Sequence, residues 1–177
     1  MSREFVLRDQ VTIHAPLERC FLLSTSVEIV ERELRMHPER GRMSGFVEDG
    51  DTVLWKGWKF GLPQFHESII EEFRPCSFFR DRMISGRFKT FEHDHSFDLL
   101  ADGSVRLRDE IRFSMRWGWL GKMLGVLLLR PHIRRLLRRR FGLLKRIAES
   151  EEWRDYIPAR DASEALLTGR GRWKVGS

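Results

Sequence analysis

Residues 88–116 read FKTFEHDHSFDLLADGSVRLRDEIRFSMR, and their period decides the fold. Phe91, His93, His95, Phe97 and Leu99 alternate with Glu92, Asp94, Ser96 and Asp98. After Ala101-Asp102-Gly103, Val105, Leu107, Asp109, Ile111, Phe113 and Met115 alternate with Arg106, Arg108, Glu110, Arg112 and Arg116. Successive strand side chains point to opposite faces, so the odd positions of both runs face the core and the even ones face water. The turn suits a three-residue hairpin loop ending in a left-handed glycine, which pairs Leu100 with Ser104. Counting back along both strands sets His95 opposite Asp109 and His93 opposite Ile111. A buried aspartate needs a partner, because an unpaired charge in an apolar surrounding costs several kcal/mol, on the order of a lost ion pair. A His95–Asp109 hydrogen bond is therefore expected.

The flanking sequence extends the pattern. Phe5, Leu7, Val11 and Ile13 alternate with polar residues, predicting a first strand over 4–14. Pro16 suits a helix first turn, and Ser26 can cap a second short helix through Arg35. Turn signals at 48–51, 61–63, 74–75, 85–86 and 101–103 then divide the chain into strands near 42–47, 52–60, 64–73, 77–84, 88–100 and 104–116. From Trp119 to Glu149 a helical pattern takes over, with Ile133, Leu136, Leu137, Phe141, Leu144 and Ile147 on one face, and Pro131 kinking it or dividing it in two. The fold class is α+β: a seven-stranded antiparallel meander wrapped around a long C-terminal helix, with two short helices after the first strand. A chain of 177 residues with 41% apolar residues, 13 Phe and 6 Trp builds one core, so a single domain over 1–150 is expected. Residues 151–177, with few large apolar side chains, read as a loosely attached tail.

Composition excludes several function classes. The net charge of +6 comes from ten cations between Arg116 and Arg146 with no acid among them; without those ten it becomes −4. This is a mildly acidic chain carrying one basic helix, and no recognition motif accompanies the charge, so specific nucleic-acid binding is not expected. Cys20 and Cys76 form neither a metal-type pair nor a disulfide framework, which suits a reducing cytoplasm. Residues 1–10 lack the apolar core of a secretory signal, and the longest apolar run, Met123 to Leu129, is far too short to span a bilayer.

Phe79-x-Asp81, Gly86-x-Phe88, Phe91-x-His93-x-His95-x-Phe97, Asp109 and Gly118-x-Leu120-Gly121 carry a resemblance. Over residues 3–149 the chain resembles the bacterial branch of the START and birch-pollen-allergen superfamily, also called SRPBCC or helix-grip proteins. The resemblance implies an apolar cavity between sheet and helix, in a group of lipid and hormone carriers, polyketide aromatase/cyclases and uncharacterised bacterial proteins. The tail lies outside the resemblance, and the arginine loading of the last helix departs from it.

The inward residues assigned to a ligand are Phe65, Glu67, Phe79, Phe91, His93, His95, Phe97, Asp109, Phe113 and Met115. Glu67 shares the parity of Phe65 and Ile69, with an outward edge position as its alternative. The His95–Asp109 pair is read three ways: a polar clip that holds register, a ligand contact, or a general base oriented by an acid. His93 and His95 lie two apart on one face and could chelate, yet no further inward His or Cys completes a closed site, so neither metal nor other cofactor is expected. The leading function is binding or carriage of a small hydrophobic, lipid-like or polycyclic ligand. The alternatives are a polyketide-type aromatase/cyclase or dehydratase with His95 as base, and a peripheral membrane or protein-interaction module. In the last, Arg134, Arg135, Arg138 and Arg139 make weak contact with anionic lipid at the inner face of the membrane.

Overall fold

The computed structural model describes residues 4–59, 61–115, 123 and 125–158. Strands β1 (Glu4–Ile13), β2 (Met36–Gly41), β3 (Thr52–Lys59), β4 (Leu62–Arg74), β5 (Phe78–Gly86), β6 (Thr90–Leu99) and β7 (Val105–Ser114) form one antiparallel sheet in the order β1-β7-β6-β5-β4-β3-β2. Helices α1 (Leu17–Thr25) and α2 (Val27–Leu34) connect β1 to β2, and the long helix α3 (Arg130–Glu149) follows β7. This is the helix-grip arrangement expected from the sequence.

The β6–β7 hairpin folds as its turn chemistry dictates. The Leu100 N–H donates to the Ser104 carbonyl at 2.8 Å, and Gly103 adopts φ +81°, a conformation that favours glycine. His95 pairs with Asp109 and His93 with Ile111, as counted. Leu99, the last odd residue of β6, is 61% exposed, because the strand runs out past the core there.

Two strand readings are corrected. The second strand is Met36–Gly41 and not 42–47; of the latter stretch, Phe46 makes only an isolated bridge to Ser26. β2 is an edge strand with His37, Pro38 and the charged Glu39 and Arg40, and only Met36 is buried, so alternation could not reveal it. In β4 the inward parity is even: His66 pairs with Trp55 and Ser68 with Val53, and Ser68 and Ile70 are buried. Ile69 and Ile70 are adjacent in sequence and fit either face, so only pairing with β3 settles which one is core. Glu67 accordingly faces away from the core and accepts a hydrogen bond from Arg40 Nη2 at 2.7 Å.

Pro131 occupies the first turn of α3, where its missing N–H is harmless, and a π-helical turn, Gly125–Leu129, precedes it. The expected helix thus divides at the proline; its first residues, Trp119 to Lys122, lie outside the described ones, as does Arg116. Ile133, Leu137, Phe141, Leu144, Ile147 and Ala148 form the buried stripe of α3. They join two apolar clusters. One is centred on Phe21, whose ring meets Phe73, Phe79 and Phe97 with centroids 5.2–5.9 Å apart. The other gathers Phe5, Leu7, Ile111, Phe113 and Met115 under Ile133 and Leu137.

Residues 151–158, assigned to the tail, are attached. A short 3-10 helix, Glu151–Asp155, brings Trp153 and Tyr156 against the larger cluster, with Ile157 inside it, and Arg32 donates to Glu152 and to the Tyr156 hydroxyl. Residues 159–177 lie outside the described ones.

Candidate functional site: a cavity with a buried charge cluster

Between the inner sheet face, α2 and α3 lies a cavity of about 220 Å³. β3 to β5 contribute Val53, Trp55, Ile70 and Phe79, β6 contributes Phe91, α2 contributes Val30 and Leu34, and α3 contributes Ile133, Leu136 and Leu137. Phe65 and Arg87, both exposed, stand where the cavity meets solvent.

Of the residues assigned from sequence, Phe65, Phe79, Phe91, His93 and His95 line this cavity. The remaining five do not, and each departure has a packing reason. Glu67 is on the opposite sheet face, and Phe97 is sealed against Phe21 and Phe79. Phe113 stacks on Phe5 beneath Phe88, and Met115 belongs to that same second cluster. Asp109 is fully buried behind the two histidines and has no place on the wall. The outward arginines Arg134, Arg135, Arg138 and Arg139 are all exposed.

The polar part of the wall is a network that residue order reveals only in part. Asp109 Oδ1 lies 3.1 Å from His95 Nδ1, and Oδ2 lies 3.0 Å from both His93 Nε2 and Arg140 Nε. Arg140 Nη1 donates to Glu33 Oε2 at 3.0 Å. A carboxylate can only accept, so the Asp109-facing nitrogen of each imidazole carries the proton: Nδ1 of His95 and Nε2 of His93. Nη2 of Arg140, 3.3 Å from His95 Nδ1, then meets a nitrogen whose lone pair is absent, and its approach is a packing contact. The His95 ring lies flat on Phe79, with centroids 4.2 Å apart.

Electrostatics follow from this burial. Burial penalises the charged form of Asp109, but His95 and Arg140 outweigh the penalty and hold its carboxyl well below the usual range. Burial pushes the His95 imidazole down to about 3, assisted by His93 and opposed by Asp109, so at neutral pH the ring is uncharged. Glu33 moves the other way: burial raises its carboxyl, and Arg140 offsets this only in part.

Arg140 and Glu33 are the site residues that composition hides. Arg140 is one of the ten cations of the basic stretch, yet it falls seven residues after Ile133 and four before Leu144, on the apolar stripe. Glu33 likewise follows the buried Ile29 by four. A charge on an apolar stripe is the available signal.

The ligating atoms of His93, His95 and Asp109 lie within 4.8 Å of one another, a spacing a metal ion could use. The donor set does not fit one. Both Asp109 oxygens are engaged by N–H donors, and a divalent cation would sit against the Arg140 guanidinium already bonded to Oδ2.

No family model matches the sequence, and no curated protein matches it in sequence. Solved structures do match in shape. A START superfamily protein from Mycobacterium smegmatis superposes with TM-score 0.61 at 13% identity, covering 80% of this chain and 98% of its own. A protein from Thermus thermophilus gives TM-score 0.61 at 17% identity over 79% of this chain and 97% of that one. Norcoclaurine synthase from Thalictrum flavum, in complex with dopamine and hydroxybenzaldehyde, gives TM-score 0.60 at 8% identity over 82% and 87%. The strand order, the α3 grip and these superpositions agree: the chain has the helix-grip fold of these solved structures.

Proposed function

We propose that the protein binds a small hydrophobic molecule in the cavity between the sheet and α3. The observation that carries this reading is the cavity itself, about 220 Å³ walled by Trp55, Ile70, Phe79, Phe91, Ile133 and Leu137, with a polar cluster confined to one part of the wall. Apolar walls supply affinity through surface removed from water, and a few fixed polar groups supply orientation. A like-folded synthase holding aromatic molecules supports enclosure of a compact aromatic or polycyclic body. Carriage accounts for His95 better than catalysis does. A base effective at neutral pH needs a pKa near 7, whereas this imidazole is held at about 3. The cyclase and dehydratase reading would therefore need another group as base.

A hydrophobic fluorophore titrated into the native protein should bind saturably at one site per chain. Trp55→Ala, which enlarges the wall, should change the affinity by several-fold. Uptake confined to partly unfolded protein would overturn the reading, because loosened cores also take up such dyes.

One observation favours a second, compatible reading, contact with an anionic membrane. Leu127 and Leu128, 69% and 43% exposed, directly precede the helix that carries Arg134, Arg135, Arg138 and Arg139. No helix among the described residues is long and apolar enough to cross a bilayer, so such contact would be at the surface.

A further inference from the structure

The cavity wall has a chemical polarity that its apolar lining conceals. Asp109 takes the proton-bearing nitrogen of each histidine, so each ring turns its other nitrogen away from it: Nε2 of the uncharged His95 and Nδ1 of His93. Neither nitrogen has a hydrogen-bond partner among the described residues, and the same holds for both carboxylate oxygens of Asp81, the cross-strand neighbour of His93. Among the described residues, the only side-chain polar atoms both unpartnered and shut off from solvent are Oγ of Ser24 and Oδ1 of Asp81. His95 Nε2, His93 Nδ1 and Asp81 Oδ2 therefore keep accessible surface. For His95, a residue 4% exposed that lines the cavity, that surface is the cavity's own.

Asp81 Oδ2 and Nε2 of the uncharged His95 are acceptors. The strong donor beside them, Arg140, has turned Nε to Asp109 and Nη1 to Glu33, while its Nη2, 3.3 Å from His95 Nδ1, is on the Asp109 side of that ring. The Trp55 indole N–H is on β3, three strands away from β6, about 14 Å at the usual strand spacing. Ser68 on β4 carries a hydroxyl that can act either way. A buried acceptor without a donor is penalised, which favours whatever supplies the missing hydrogens.

We infer that the ligand is an apolar molecule whose polar end is a hydrogen-bond donor, a hydroxyl or an ammonium group, seated against Asp81, His93 and His95. The inference rests on the cavity's being a ligand site and specifies which molecules that site takes. A carboxylate or a bare ketone offers these atoms only further lone pairs.

The test uses four probes that share one body: 2-(2-naphthyl)ethylamine, 2-(2-naphthyl)ethanol, 2-naphthylacetate and 2-ethylnaphthalene, each titrated into the full chain at pH 7 by calorimetry. The amine or the alcohol should bind at least tenfold tighter than the carboxylate. An alcohol equal to the amine identifies a neutral donor; an amine ahead of the alcohol identifies an ammonium. In Asp81→Asn, the amine-to-carboxylate ratio should fall several-fold, with uptake of 2-ethylnaphthalene reporting that the cavity has formed. Carboxylate binding as tight as the amine, with the hydrocarbon bound, overturns the donor inference and leaves hydrophobic binding standing. If none of the four binds, the cavity is not a ligand site and both readings fall together.

Discussion

Strands β6 and β7 carry two networks of arginine–carboxylate pairs, one on each face. On the outer face, Arg112 reaches Glu92, Asp94 and Glu110 at 2.7–3.0 Å, Arg80 meets Asp94 at 2.6 Å, and Arg8 meets Glu110 at 2.5 Å. On the inner face, Arg140 meets Asp109 and Glu33, each at 3.0 Å. The distances are alike, and the surroundings are not. Side-chain exposure is 72% for Arg8 and 22% for Arg112, against 3% for Arg140 and 0% for Asp109. Water and salt screen the outer pairs, so each contributes little; the inner charges have left water and depend wholly on one another. Identical chemistry is therefore surface covering on one side and a fixed polar wall on the other.

The largest expected effect breaks the inner network. Arg140→Met keeps the length and apolar stem of the side chain but strands Asp109 and Glu33 without their cation. Removing one partner of a buried pair typically destabilises by about 3–5 kcal/mol. Arg112→Met on the outer face should cost about 1 kcal/mol, since each exposed pair contributes roughly 0–1. Denaturant melts of the two variants compare them directly, and equal losses would erase the distinction between the faces.

A smaller effect lies in the pH dependence of stability. The His95 imidazole is held at about 3 in the folded chain, against 6.5 in the unfolded one. Between those values the unfolded chain binds a proton that the folded chain refuses, so His95 lowers stability as pH falls from 6.5 toward 3. Its share of the slope is at most about 1.4 kcal/mol per pH unit. Asp109, held below its ordinary value of 3.8, adds a loss of the same sign only below that pH. Glu33 acts oppositely: its raised carboxyl keeps a proton above the ordinary 4.5, and stability falls as pH rises there. Subtracting His95→Gln from the parent at each pH removes the background of Glu33, and a window above Asp109's ordinary 3.8 keeps that group's own loss out of the comparison. The difference should slope downward as pH is lowered from about 6.5 to about 4; a flat difference would mean that His95 is solvated and not part of the buried wall.

The inner and outer faces of β6 and β7 are legible because both strands alternate without interruption and a three-residue turn joins them. That regularity places His95 opposite Asp109 from residue order alone. β4 is ambiguous because Ile69 and Ile70 satisfy either parity, and β2 is hidden because an edge strand with one buried residue has no alternation to find. The site is half legible for a related reason. A histidine on an apolar strand face announces itself, whereas Arg140 is submerged in a run of arginines. Only its register with Leu137 and Leu144 separates it from Arg138 and Arg139, one or two residues away and exposed.

The weakest expected effect belongs to those exposed arginines, and it extends the comparison from the sheet to the helix. Arg134, Arg135, Arg138 and Arg139 have their charges in water, opposite a stripe already committed to the sheet. Any attraction to a bilayer is then electrostatic, about 1 kcal/mol per cation near an anionic surface. It should respond to salt as surface charge does, because the screening length contracts from ~10 Å at 0.1 M to ~3 Å at 1 M. Sedimentation with phosphatidylserine-containing and purely phosphatidylcholine vesicles should give binding to the former alone at about 0.1 M salt, most of it lost at about 1 M. Arg134→Gln with Arg138→Gln should weaken it by about tenfold, the two contributions adding at roughly 1 kcal/mol or a little less each. Arg140 is excluded from this arithmetic, since its charge is spent on Asp109 and Glu33. Equal partitioning onto both vesicle types would locate the contact in Leu127 and Leu128, while absence of binding to either would leave the outer arginines, like the outer network of the sheet, as solvated surface.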